Sequence, residues 1–150
     1  ALSCALHAED GFFPFNYRML TPSASDSQLD STSTAEQAKF KPKAVELKQG
    51  ISVDTLIRQG VVKSPDLVKI DVDGNELLIL QGMKKLLSGV QAPRAIQVEV
   101  NPRYPELLDY LESTGFGLAE RHYTVYQERR LAAGDYTPEQ AGYNGIFRKD

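Results

Sequence analysis

Residues 66–82 read DLVKIDVDGNELLILQG. An apolar, β-branched run over 66–72 follows Pro65. Asp71, Asp73, Gly74, Asn75 and Glu76 then separate it from a stretch with helical spacing. That stretch extends over 75–89, where Leu77, Leu80, Met83, Leu86 and Leu87 recur on one face. Lys84 and Lys85 fall in its last turns, where their charge suits the helix dipole, and Gly89 supplies a stop. A strand, a polar turn and a helix in this order make the first part of a βαβ unit.

The pattern continues downstream. RAIQVEV (94–100) reads as a strand, PELLDYLESTG (105–115) as a helix with proline in its first turn and glycine at its end, and FGLAERHY (116–123) as a strand. A polar connection without an obvious helix leads to YNGIFRK (143–149), an extended run expected to pair antiparallel. Upstream, AVELK (44–48) reads as a strand and SVDTLIRQG (52–60) as a short helix ended by Gly60. The segments LSCAL and FFPFNY within 1–20 read as two extended pieces, the second an edge or bent strand because of Pro14. Residues 21–43 are rich in Ser, Thr, Ala and Asp and read as a long mobile surface loop, with a lid as the competing reading. The fold class expected is α/β, with a mostly parallel sheet and right-handed crossovers, in one domain over 1–150.

Composition narrows the function classes. A chain of 150 residues with 41% hydrophobic and 25% charged residues is that of an ordinary globular domain. Its net charge of −3 has the wrong sign for a nucleic-acid footprint. The apolar runs are too short to span a membrane, and no charged segment followed by an apolar one opens the chain, so a cytoplasmic domain is expected. Cys4 is the single cysteine, which excludes an internal disulfide and a cysteine-rich zinc site. The opening ALSCAL lacks Met and reads as already inside a strand, as in a part of something longer.

The acids of 71–76 admit several chemistries. A calcium loop counted from Asp71 fails, because Glu76 stands where glycine is needed and Gly82 where glutamate is needed. GFGLAE (115–120) follows a helix and opens a strand, the reverse of a dinucleotide fingerprint. His7 and His122 are far apart and read as surface strand residues, and RHYTVYQERR is interrupted by acids and reads as a solvated face. The strand ends are the better candidates, since open parallel sheets bind ligands beyond their carboxyl ends. Asp71 and Asp73 fall there on one strand, and Gln97, Glu99 and Asn101 on the next, about 4.8 Å away. Strands buried on both faces should be nearly all apolar, so Lys69, Asp71, Gln97 and Glu99 need a reason. Two readings stand: helix caps and mutual ion pairs, or a site for a polar or cationic ligand. A divalent cation on Asp71, Asp73 and Glu99 would suit hard oxygen ligands but lacks a diagnostic spacing.

SVDTLI, then PDLVKIDVDGNELLILQGMKKLL, then IQVEVN resembles the C-terminal half of the FkbM-type methyltransferase family, whose pattern is roughly tLD-lI … D-lKiDvEGaE-evL-Ga … p-i-vEv. ALSCALHAEDGFFPFNY and SASDSQL also resemble stretches that precede this block, so the likeness covers most of residues 1–123. Two departures occur: Asp73 where glutamate is usual, and Asn75, a natural helix cap, where a small residue is usual. The resemblance implies an S-adenosylmethionine-dependent transferase built on the Rossmann-like class I sheet, acting on hydroxyls of sugars or polyketide-like metabolites. On that mapping 66–72, 94–100 and 116–123 are the fourth, fifth and sixth strands and 143–149 the antiparallel seventh.

The same likeness implies Asp71 as base or orienter beside the methyl group and acceptor, with Glu99 as its partner. Asp73, Glu76 and Asn101 would support that pair or bind substrate. The family's glycine-rich cofactor loop is expected before residue 1, so the isolated chain is expected to bind S-adenosylmethionine weakly or not at all. Micromolar binding in a calorimetric titration would refute this. The family's first strand would lie beside LVKIDV; without it that edge needs cover from another chain, such as a second copy, or from a rearranged N-terminal strand. A non-catalytic binding module with its acids as helix caps is the alternative to an enzyme.

Overall fold

A computed structural model describes residues 1–21, 27–29, 42–72, 74–102 and 105–149. The chain is a mixed α/β structure with two four-stranded sheets, divided into two compact units. Residues 1–63 with 72–84 form the first, and 64–71 with 85–150 the second.

In the first unit β1 (Ala5–Leu6), β2 (Gly11–Tyr17), β3 (Gln28–Leu29) and β4 (Ala44–Ile51) make a sheet in the order β1-β4-β2-β3. Only β1 and β4 run parallel. The strand β2 is interior, which corrects the edge expected from Pro14; β3 covers only Phe15 and Asn16, so at Pro14 one side needs no N–H. Most of the expected 21–43 loop lies outside the described residues, but Gln28 and Leu29 within it are a strand, and Leu29 is buried. Register puts Leu6, Phe12, Pro14, Val45 and Leu47 on one face of this sheet together with Asn16 and Gln49; Phe12 is 73% and Leu47 68% exposed there, while Asn16 is buried.

The helix α1 (Val53–Arg58) starts where Ser52 accepts the Thr55 N–H on its hydroxyl, and it closes toward Gly60 at φ +70°. Asp10 reinforces this start, accepting the Ser52 N–H at 2.8 Å and the Thr55 hydroxyl at 2.7 Å.

The helix expected over 75–89 is two helices, α2 (Glu76–Gln81) and α3 (Lys84–Ser88). Gly82 explains the break. The His7 carbonyl passes so close that a methyl group at Gly82 would overlap it, and the Gly82 carbonyl accepts the Asp54 N–H at 3.0 Å. The Gly82 N–H still donates to the Leu78 carbonyl, and the chain re-enters a helix at Lys84. Asn75 precedes α2 but does not cap it; its Nδ2 donates instead to the Leu29 carbonyl at 2.6 Å. His7 corrects the surface expectation: it is 5% exposed, stacked on Phe13 at 3.7 Å, and its Nδ1 accepts the Glu9 N–H.

In the second unit β5 (Leu67–Ile70), β6 (Ala95–Val100), β7 (Phe116–His122) and β8 (Tyr143–Lys149) form a sheet in the order β5-β6-β8-β7. The pair β5 and β6 is parallel, while β8 is antiparallel to both β6 and β7, so three strands share a direction and the last is reversed. The expected strand 66–72 stops at Ile70, leaving Asp71 and Val72 beyond it. Alternation decides the faces. Ile70, Ile96, Val98, Val100, Tyr143 and Phe147 point into the core with Leu86, Leu87, Leu107, Leu111 and Phe116, each such burial contributing about 1.5–3 kcal/mol. Lys69, Gln97 and Glu99 face the other way, where Lys69 and Glu99 are exposed, so the sheet is covered on one face and not on both as expected.

Leu107 and Leu111 bury one stripe of α4 (Glu106–Ser113), and Glu106 and Asp109 suit its N-terminal turn. The connection read as helix-free holds α5 (Val125–Ala132), started by a reciprocal Thr124–Gln127 capping box. Among the described residues no helix is long and apolar enough to cross a membrane.

Candidate active site

The carboxyl ends of β5, β6 and β7 lie at one edge of the second sheet, where β8 begins. Asp71 is one residue past β5. Its carboxylate takes the Lys69 ammonium at 2.7 Å, and both side chains are more than half exposed. An exposed pair of this kind contributes at most about 1 kcal/mol, so Lys69 orients Asp71 without locking it. The last β5–β6 pair is Ile70 with Val98; carried one step further, the register brings Asp71 level with Glu99 on the neighbouring strand. Asn101 follows β6 directly and is exposed.

Three of the five expected residues, Asp71, Glu99 and Asn101, thus share this edge. Asp73 lies outside the described residues. Glu76 belongs to the first unit, where its Oε1 accepts the Gly74 N–H at 3.2 Å and steadies the turn in which Gly74 adopts φ +100°, a conformation that favours glycine.

Two further residues lie at this edge: Asn144, which the sequence reading did not single out, and His122, which it read as a surface strand residue and which is exposed on β7. Asn144 of β8 is paired with Glu99 on one side and with His122 of β7 on the other. His122 Nε2 lies 3.3 Å from Glu120 Oε2, and Arg148 donates to Glu120 Oε1 at 2.9 Å. The signal for Asn144 was a polar residue between Tyr143 and the apolar positions of YNGIFRK. Behind the row, the buried Tyr143 stacks edge-on with Tyr123 at 6.2 Å and carries the Arg121 guanidinium 4.8 Å above its ring. Burial pushes the Tyr143 phenol above its ordinary range, with the Arg121 charge opposing.

Asp10 is held below the usual range chiefly by the Ser52 N–H and then by the Thr55 hydroxyl, which is helix capping. Among the described residues no group of three or more His, Cys, Asp or Glu is placed to hold a metal ion.

A family model described as the methyltransferase FkbM domain matches residues 1–118. The chain belongs to this methyltransferase family. It is also similar to the hexuronic acid methyltransferase AglP of Haloferax volcanii, 48% identical over 40 residues; that stretch is 27% of this chain and 17% of the relative. No solved structure matches the chain.

Proposed function

We propose that residues 1–150 are part of a Rossmann-like methyltransferase domain that, together with a cofactor loop outside these residues, moves a methyl group from S-adenosylmethionine to a hydroxyl of a sugar or small metabolite. Family membership supplies the reaction class. The observation that carries the chemistry is the parallel register of β5 and β6, which carried one step past its last pair brings Asp71 level with Glu99 at their carboxyl ends.

S-adenosylmethionine, when bound, supplies a methyl group on a cationic sulfur. Of the groups it presents, this charge is the one that the Asp71 and Glu99 carboxylates fit, and no residue is assigned to its adenosine. Asp71 would accept the proton of the acceptor hydroxyl as the methyl group is transferred to that oxygen. Glu99 holds the acceptor in line, since positioning dominates a displacement of this type. Asn101 lines the same edge, and Asp73 and Glu76 are assigned supporting roles. A second copy of the chain over the free side of β5, where Leu67 is 65% exposed, is the partner proposed.

The test is labelled methyl transfer by the full-length protein. Asp71→Asn removes the proton acceptor at nearly constant size, so turnover falls about 10²–10⁴-fold while the circular dichroism spectrum stays unchanged. Wild-type turnover in that variant would remove Asp71 from the mechanism, whereas no methyl transfer by the unaltered protein would favour a binding module.

A further inference from the structure

The strand β4 reads AVELKQGI, and its alternation says which side of the first sheet is written for burial. Glu46 and Lys48 point to one side, where they pair at 2.9 Å and Glu46 also accepts the Tyr17 hydroxyl at 2.8 Å. Val45 and Leu47 point to the other. A strand with one wet face keeps its apolar residues on the dry one, so the Val45 and Leu47 side is the one that should be covered. Both are more than half exposed. The neighbouring β2, GFFPFNY, is apolar on both sides, with Phe12 and Pro14 on the open one and Phe13 and Phe15 on the other. That is the composition of a strand covered on both faces, yet Phe12 is the most exposed residue of the group.

We infer that this face of the first sheet is where a second copy of the chain docks, sheet against sheet. Size is the first reason. Leu6, Phe12, Pro14, Val45 and Leu47 together offer roughly 450 Å² of apolar surface. A standard interface takes about 800 Å² from each partner, and about 65% of a homodimer interface is apolar, so the patch supplies most of what one needs. Charge is the second reason. Among the described residues of β1, β2, β3 and β4, register places none that is charged on this face, whose polar members are the amides Asn16, Gln28 and Gln49. A charged partner finds no counter-charge here, and a lipid surface finds none of the basic residues that hold an interfacial face to headgroups. Geometry is the third. Sheets stack face to face about 10 Å apart with their strands within about 30°, and a two-fold axis presents the same patch from both sides. The contact lies wholly on the first unit, and it rests neither on the transferase reading nor on the pairing proposed at β5.

Sedimentation velocity of the full chain at micromolar concentration is the test, and the unaltered chain sediments as a dimer. Leu47→Lys, which sets like charges against each other, and Phe12→Thr each raise the dissociation constant about 30-fold or more, the scale of an interface hot spot. Both positions are exposed in the single chain, so the circular dichroism spectrum stays unchanged. Lys48→Gln, on the opposite side of β4, and Leu67→Glu, on β5, leave this dimer intact. Isotope-filtered NMR on a mixture of labelled and unlabelled chains needs no variant, and it gives intermolecular contacts at the Phe12 and Leu47 side chains. Four results each overturn the inference: a monomeric chain, a dimer split by Leu67→Glu but not by Leu47→Lys, filtered spectra without contacts at Phe12 and Leu47, or a chain that sediments with phosphatidylcholine vesicles instead of dimerising.

Discussion

Gly82 is where the smallest side chain controls the most backbone. Its missing Cβ lets the His7 carbonyl pass against the chain, and its own carbonyl receives the Asp54 N–H. Gly82→Ala puts a methyl group into backbone rather than into a flexible side chain, so the clash cannot be relieved by a rotamer change. The variant should lose about 1–3 kcal/mol, read as a lower midpoint in urea denaturation with an unchanged slope. The positions of the two acids were legible at this scale because charged residues in a β-rich run demand a reason: Asp71 follows β5 directly and Glu99 is the last residue but one of β6. His7 and Asn75 were not. Nothing local distinguishes a histidine stacked on Phe13 from an exposed one, and Asn75 spends its amide on Leu29, 46 residues away in sequence.

Elements followed from periodicity where packing and period agree. In β6, Ile96, Val98 and Val100 alternate with outward Gln97 and Glu99, and the strand is found almost as read. The 75–89 helix was overextended because leucine spacing carries across Gly82, while the break comes from a distant carbonyl. The opposite error hid α5, which buries none of its residues and so offers no apolar stripe to read. That helix depends on its caps. Thr124→Ala should therefore cost α5 about 0.5–2 kcal/mol, seen as faster hydrogen exchange of the 125–132 amides. Because α5 contributes nothing to the core, the global melting transition should barely move.

At the scale of the molecule, the α/β class and the reversed final strand were legible from the order of elements, but the mostly parallel sheet expected is not what forms: β5–β6 is parallel, and β6–β8 and β7–β8 are antiparallel because the reversed strand lies between β6 and β7. The separate first sheet was not legible. Its β1 and β4 are paired across more than 40 residues of chain, and β3 is a two-residue strand inside a stretch with no period. Single-sequence patterns encode which face of a strand is buried, not which strand lies beside it.

The reversed strand β8 also dictates when the second unit can exist. It lies between β6 and β7, which have no direct pairing with each other, so it is the piece that joins β7 to the rest of the sheet. A growing chain that has completed residues 1–142 holds β6 with one open side and β7 with no partner in its sheet, however long synthesis pauses there. Folding of this unit is therefore late, and the nascent strands need shielding until 143–149 emerge. A chain cut after Gly142 should leave the amides of β6 and β7 unprotected in hydrogen exchange while the first unit, which uses none of these residues, keeps its protection. Retained protection in β7 would show that the sheet closes without its last strand.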